Sequence, residues 1–115
     1  PKQSPSYLLS LQKINELYQE KKFESALIEI NNLLAFYPTS VKLLKMKGTT
    51  LIKLGNLELA EKAWERASDL TPNDPVLKRG LAKLKGEIDK NKKMATSIDM
   101  KELEKKAAEK DMKTH

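Results

Sequence analysis

The sequence predicts an all-α protein made of stacked helical hairpins. Apolar side chains recur at spacings of three and four residues along most of the chain, the period of an amphipathic helix. The composition is 33% charged and only 5% aromatic, which is typical of helical proteins rather than β-rich ones. An interval of 34 residues also links Pro38 to Pro72 and Ala26 to Ala60. The same interval joins Leu17 with Leu51, Phe23 with Leu57, Ile30 with Trp64, and Leu33 with Ala67. A fixed interval of this size indicates a repeat architecture.

Two helices are predicted before residue 38. Ser4 supplies a capping hydroxyl and Pro5 suits the first helical position. The apolar stripe of this first helix consists of Leu8, Leu11, Ile14, Leu17 and Tyr18. The charged residues 20–22 form a turn, and a second helix begins at Phe23 and ends before Pro38.

A third and a fourth helix follow between two further stop signals. Thr39 and Ser40 provide hydroxyls that can cap the third helix, and Gly55 is a natural terminator for it. Asn56 restarts the chain, and the fourth helix ends before Pro72.

The last part of the chain is predicted to contain a fifth helix and a charged tail. Asp74 and Pro75 open the fifth helix, which extends to about residue 92. Thr96 with Asp99 is a capping-box pattern ahead of a sixth, weaker helix in residues 94–115. We expect this tail to be flexible or weakly helical.

The second 34-residue unit resembles a tetratricopeptide repeat (TPR). The residues that carry the resemblance are Leu44, Gly48, Leu51, Ala60, Trp64 and Pro72, with Gly55 at the turn between the two helices. Lys47 departs from the family pattern because an apolar residue usually precedes Gly48. The first unit matches less well, since Ser10, Lys13 and Ile14 replace a large residue, Leu and Gly.

The resemblance implies an α–α superhelix of two helix-turn-helix repeats, about 7–40 and 41–74. The fifth helix, about 75–92, would close the array as a capping helix. Together these elements form a predicted TPR-like domain over residues 5–93, with the tail 94–115 outside it.

The resemblance also implies a concave groove, lined by the first helix of each repeat, that binds a peptide. The predicted groove residues are Leu11, Asn15, Tyr18, Lys42, Lys45, Met46, Thr49, Ile52, Lys53, Arg79 and Lys83. Helical spacing places several of the lysines on one face of the third helix. Such a surface suits an acidic, partly hydrophobic peptide or helix. The alternative interpretation is that these lysines are ordinary solvated side chains.

Catalysis has little support in the sequence. There is no cysteine, the one histidine is the terminal His115, and no glycine-rich phosphate loop is present. We therefore predict a non-catalytic protein–protein interaction module, a scaffold or adaptor, with no cofactor and no metal site.

The net charge of +6 leaves other partners open. A pI of about 9.5 suits weak, sequence-nonspecific nucleic-acid binding, but arginine is limited to Arg66 and Arg79, and few aromatic residues are available for base stacking. Because two repeats form a short array, self-association is a further alternative. Direct membrane binding is not expected, and we favour a cytoplasmic, bacterial origin over a periplasmic one. Since the chain begins at Pro1, we expect it to be part of a longer or processed protein.

Overall fold

The computed structural model describes residues 5–93, and the regular structure in this range is entirely helical. The first four helices are α1 (Pro5–Gln19), α2 (Phe23–Phe36), α3 (Val41–Lys53) and α4 (Leu57–Leu70). A fifth helix, α5, begins at residue 75 and its helical residues reach 93. The predicted all-α class and the five predicted helices are confirmed. The proposed cap at Ser4 and the predicted sixth helix in the tail lie outside the described residues.

The chain divides into two compact units between Leu84 and Lys85. The first unit contains α1 to α4 and the start of α5. Within it, α1 packs against α2, α2 against α3, and α3 against α4. Of the second unit the structure describes residues 85–93, which are helical.

The turns inside the two hairpins have the same backbone geometry, 34 residues apart. Lys21 and Gly55 both adopt positive φ angles, 62° and 82°. In each turn the next N–H reaches back to a helix carbonyl: Lys22 to Leu17 and Asn56 to Leu51, both at 2.8 Å. This bond closes a helix through a left-handed residue, a position that glycine occupies without steric cost. The 34-residue interval seen in the sequence is therefore also present in the backbone.

The caps of α3 and α5 follow the same interval. The N–H of Leu43 donates to Ser40 Oγ at 3.2 Å, and the N–H of Leu77 donates to Asp74 Oδ1 at 3.0 Å. Each side chain thus satisfies one of the unpaired N–H groups of a first helical turn. The predicted capping role of the 39–40 pair is confirmed and belongs to Ser40.

The core consists of side chains at the interface of successive helices. One cluster, from α1, α2 and α3, contains Tyr7, Leu11, Ile14, Ile30, Leu33 and Leu43. Tyr7 and Tyr37 meet edge to face with centroids 4.8 Å apart. The predicted α1 stripe began at Leu8, but Leu8 is 53% exposed and Tyr7 is buried instead. The stripe is therefore displaced by one residue at its start.

The two hairpins fill equivalent positions in different ways. In α1 and α2, Ile14 and Ile30 are both buried in the same cluster. The residues 34 positions later are Gly48 and Trp64. A Cβ at Gly48 would lie 2.1 Å from Trp64 Nε1, and one at Gly80 would lie 3.2 Å from Trp64 Cζ3. The indole thus occupies space that two glycines leave free, on α3 and on α5.

Candidate functional site

A cleft between α1 and α3 is the first candidate site. It has a volume of about 270 Å³. The residues that line it are Ile14, Asn15 and Tyr18 from α1, with Lys45, Met46, Thr49 and Thr50 from α3. They converge because residues three and four apart share one face of a helix and because both faces turn toward the same gap. We call it the α1–α3 cleft.

The floor of the α1–α3 cleft is largely apolar. Ile14 and Thr50 are each 1% exposed. The Oγ1 hydroxyl of Thr50 donates to the Met46 carbonyl at 2.8 Å, and that of Thr49 donates to the Lys45 carbonyl at 3.0 Å. Both hydroxyl protons are therefore used within α3, which leaves methyl groups and acceptor lone pairs for a ligand. Met46 adds an adaptable thioether side chain.

The aromatic wall of the cleft is held by a ring contact. Tyr18 meets Phe23 edge to face, with centroids 5.1 Å apart and an interplanar angle of 71°. This contact restrains the ring of Tyr18, which also lines the cleft. A tyrosine in the lining combines an apolar ring with a hydroxyl group.

Lys45 has a structural partner as well as a place in the cleft. Its Nζ lies 2.7 Å from Oδ2 of Asp74, and its backbone carbonyl accepts the indole N–H of Trp64 at 3.2 Å. The hydrogen bond from Lys45, followed by that from the Leu77 N–H, lowers the pKa of Asp74 below its usual value. The charge of Lys45 is therefore offset inside the fold, and an acidic ligand must compete with Asp74 for it.

Five of the eleven predicted groove residues line the α1–α3 cleft. They are Asn15, Tyr18, Lys45, Met46 and Thr49. Leu11 is placed differently: it is 6% exposed and belongs to the core. It packs inward because it follows Tyr7 by one helical turn on the buried side of α1.

The other five predicted residues do not line this cleft. Ile52 is half-buried, whereas Lys42, Lys53, Arg79 and Lys83 are exposed on α3 and α5. The cleft floor contains two residues absent from the prediction, Ile14 and Thr50. Their spacing was a usable signal, since each lies four residues from a predicted residue, Tyr18 or Met46.

The lining of the α1–α3 cleft combines apolar side chains with a few polar groups. Within residues 5–93, no group of three or more His, Asp or Glu side chains is arranged to hold a metal ion. No helix in that range is both long enough and apolar enough to span a bilayer. An apolar floor with a few hydroxyl, amide and ammonium groups at its edge is the usual composition of a recognition site.

Comparison with known proteins assigns no family: no protein-family model matches the chain, and no curated protein matches its sequence.

Proposed function

We propose that this protein is a TPR-like interaction module that binds a peptide or helix of a partner protein in the α1–α3 cleft. In this proposal α1–α2 and α3–α4 are two repeats of one superhelix, and α5 caps the array. No chemistry is performed on the ligand. The observation that carries the proposal is the meeting of five predicted groove residues in one cleft.

The repeat part of the proposal is supported by backbone hydrogen bonds. The two left-handed turn residues, Lys21 and Gly55, are 34 residues apart. The two capping residues, Ser40 and Asp74, are separated by the same interval. The small residue Gly48, packed under Trp64, supplies the close helix approach expected within a TPR hairpin. The turn and cap features recur at the spacing on which the resemblance rests, whereas the Gly48–Trp64 contact belongs to the second hairpin alone.

The ligand part of the proposal is supported by the composition of the cleft. An apolar anchor on the peptide would contact Ile14 and Met46, and a peptide backbone group would find Asn15 at the edge. Carboxylates of the peptide would then face Lys42 and Lys53, which are exposed on α3. Lys45 contributes less to acidic selectivity than its position suggests, because Asp74 already pairs with it.

A display library of peptides, with binding confirmed by fluorescence polarisation, tests this proposal. Asn15 and Asn32 are both exposed asparagines, on α1 and α2 respectively, and only Asn15 lines the cleft. Asn15→Glu should weaken binding of selected acidic peptides by about tenfold, whereas Asn32→Glu should leave it unchanged. Equal affinity of the two variants would place the binding surface elsewhere.

A second comparison separates peptide binding from the two alternatives. Lys42→Glu/Lys53→Glu should weaken acidic peptides and make the remaining binding less sensitive to salt. An unlabelled 20-mer of single-stranded DNA should not displace the selected peptides; complete displacement at low micromolar concentration would favour the nucleic-acid alternative. Dimerisation that disappears in Asn15→Glu would instead favour self-association through the cleft.

A further inference from the structure

A second cleft lies between α2, α3 and α4, and it has a different character. Its volume is about 360 Å³. Three buried residues, Leu44, Leu51 and Ala63, lie at its floor. We call it the α2–α4 cleft, and it shares no lining residue with the α1–α3 cleft.

Three cations line the α2–α4 cleft. Lys47 is half-buried on α3, while Lys62 and Arg66 are exposed on successive turns of α4. Among residues 5–93 none of the three forms an ion pair. Leu59, one turn before Lys62, also lines the cleft and is 47% exposed. Positive charge and uncovered apolar surface therefore occur together along one face of α4.

The first hairpin shows what is missing from the second. Lys13 occupies in α1 the position that Lys47 occupies in α3, 34 residues later. Lys13 Nζ lies 3.2 Å from Glu29 Oε1 on α2. The residue 34 positions after Glu29 is Ala63, so the second hairpin retains the lysine and lacks the carboxylate. A small apolar side chain there opens the cleft and leaves Lys47 without the partner that its counterpart has.

We propose that the α2–α4 cleft is a second binding site, which takes an acidic amphipathic helix of a partner protein. An apolar side chain of that helix would pack on Leu59 and the floor, and its carboxylates would pair with Lys47, Lys62 and Arg66. Arginine suits this role because its guanidinium binds a carboxylate through two parallel hydrogen bonds. Lys62 and Arg66 are about 6 Å apart along α4, which matches carboxylates one turn apart on a facing helix. The three cations would raise the association rate and select for acidic partners, whereas the apolar contact would provide most of the affinity.

This site goes beyond the proposed function and does not depend on it. A partner could occupy the α2–α4 cleft whether or not the α1–α3 cleft binds a peptide, because the lining residues are separate. The experiment below therefore includes Lys42→Glu/Lys53→Glu as a variant of the other surface.

The probe is a fluorescein-labelled 14-residue helical peptide with leucine at every fourth position and glutamate beside each leucine. A second probe has every glutamate replaced by glutamine. The wild-type protein should bind the glutamate probe about tenfold or more tightly than the glutamine probe in fluorescence polarisation. Equal affinity for the two probes would overturn the proposal.

Two matched lysines identify the site. Lys47→Gln and Lys13→Gln make the same chemical change at equivalent positions, since both remove the positive charge and leave a polar side chain one atom shorter. Lys47→Gln should weaken binding of the glutamate probe by about fivefold, and Lys62→Gln/Arg66→Gln should weaken it by about tenfold. Lys13→Gln and Lys42→Glu/Lys53→Glu should leave the affinity for this probe unchanged. Circular dichroism checks that each variant is folded.

Equal effects of Lys47→Gln and Lys13→Gln on probe affinity would overturn the proposal. Loss of binding only in Lys42→Glu/Lys53→Glu would overturn it as well. A single-stranded DNA 12-mer that binds more tightly than the glutamate probe, and is lost with Lys62→Gln/Arg66→Gln, would replace the protein partner with nucleic acid.

Discussion

Lys45 Nζ and Asp74 Oδ2 lie 2.7 Å apart and join the middle of α3 to the start of α5. The same carboxylate accepts the N–H of Leu77 through Oδ1 at 3.0 Å and so caps α5. Both bonds favour the ionised carboxyl group, and the pKa of Asp74 is lowered, chiefly by Lys45. Folding and ionisation of Asp74 are therefore linked.

The first prediction concerns Asp74 and pH. A carboxyl group whose pKa is lowered by folding stabilises the folded state above its unfolded pKa, about 3.9, and that contribution disappears as pH falls through the folded-state value. Asp74→Asn retains a capping oxygen but removes the charge. We expect it to lower the urea midpoint at pH 7, with the difference from wild type shrinking below about pH 4. Urea titrations followed by circular dichroism at pH 7, 5 and 3 check this.

Asp69→Asn is the control for that titration. Asp69 is an exposed carboxylate on α4 and forms no ion pair among residues 5–93. Its replacement should leave the urea midpoint nearly unchanged at each pH. If the difference in urea midpoint between wild type and Asp74→Asn stays constant from pH 7 to pH 3, the ion pair does not contribute to the acid sensitivity of the fold.

The second prediction concerns the contact of Gly48 with Trp64. Gly48→Ala places a methyl group 2.1 Å from Trp64 Nε1, so the indole or α3 must shift. Overpacking costs about 1–3 kcal/mol and the higher helix propensity of alanine offsets about 1 kcal/mol of it, so the net loss in the free energy of unfolding is about 0–2 kcal/mol. Gly86→Ala is the matched control, because a Cβ there meets nothing within 4 Å. It should raise the free energy of unfolding by about 0.5–1 kcal/mol. Trp64 is the single tryptophan, so its emission reports the shift directly.

The third prediction concerns the two left-handed turn residues. Lys21 has a φ angle of 62°, and this conformation costs an L-residue about 1–2 kcal/mol. Replacement by glycine removes that cost, but part of the gain is lost because glycine has more conformational entropy than lysine in the unfolded state. Lys21→Gly should therefore raise the free energy of unfolding by about 0.5–1 kcal/mol. Gly55→Ala should lower it by about 1 kcal/mol through backbone strain alone, since open space surrounds that position. Chemical denaturation measures both, and a destabilised Lys21→Gly would contradict the shared turn geometry.

The fourth prediction separates two adjacent hydroxyl residues before α3. Ser40 accepts the Leu43 N–H, and Thr39 is exposed. Ser40→Ala should cost about 1 kcal/mol because one N–H of the first turn loses its partner. Thr39→Ala should change the free energy of unfolding by less than about 0.5 kcal/mol. Similar losses in both variants would mean that the cap is shared.

Local signals made the helices of this protein predictable. Pro38, Gly55 and Pro72 mark chain reversals by their own backbone restrictions, and Ser40 caps through a neighbour only three residues away. The 34-residue interval predicted that these signals would recur. The turn at Lys21 was predicted from its charged residues, but its left-handed conformation was not, because no glycine marks it. Its positive φ, like that of Gly55, is seen only in the structure.

The candidate site was less predictable because it depends on which helix faces meet. Asn15 and Met46 were placed in one groove from the resemblance, and they line one cleft. Leu11 was placed there too, yet it is buried, because a position on a helix does not specify how far that helix is rotated toward its neighbour. Superhelical arrangement and ligand remain proposals.

The amino-acid sequence by itself determined the helices, their caps and their 34-residue interval, since each depends on residues within one or two turns. The tertiary structure alone decided which charges are paired. Lys45 meets Asp74 across 29 residues, and Lys13 meets Glu29. Lys47, the equivalent of Lys13, lines an open cleft in which Ala63 stands at the position equivalent to Glu29. Coulombic interactions depend on distances through space, and lysines that look alike in the sequence acquire different roles only when the helices pack.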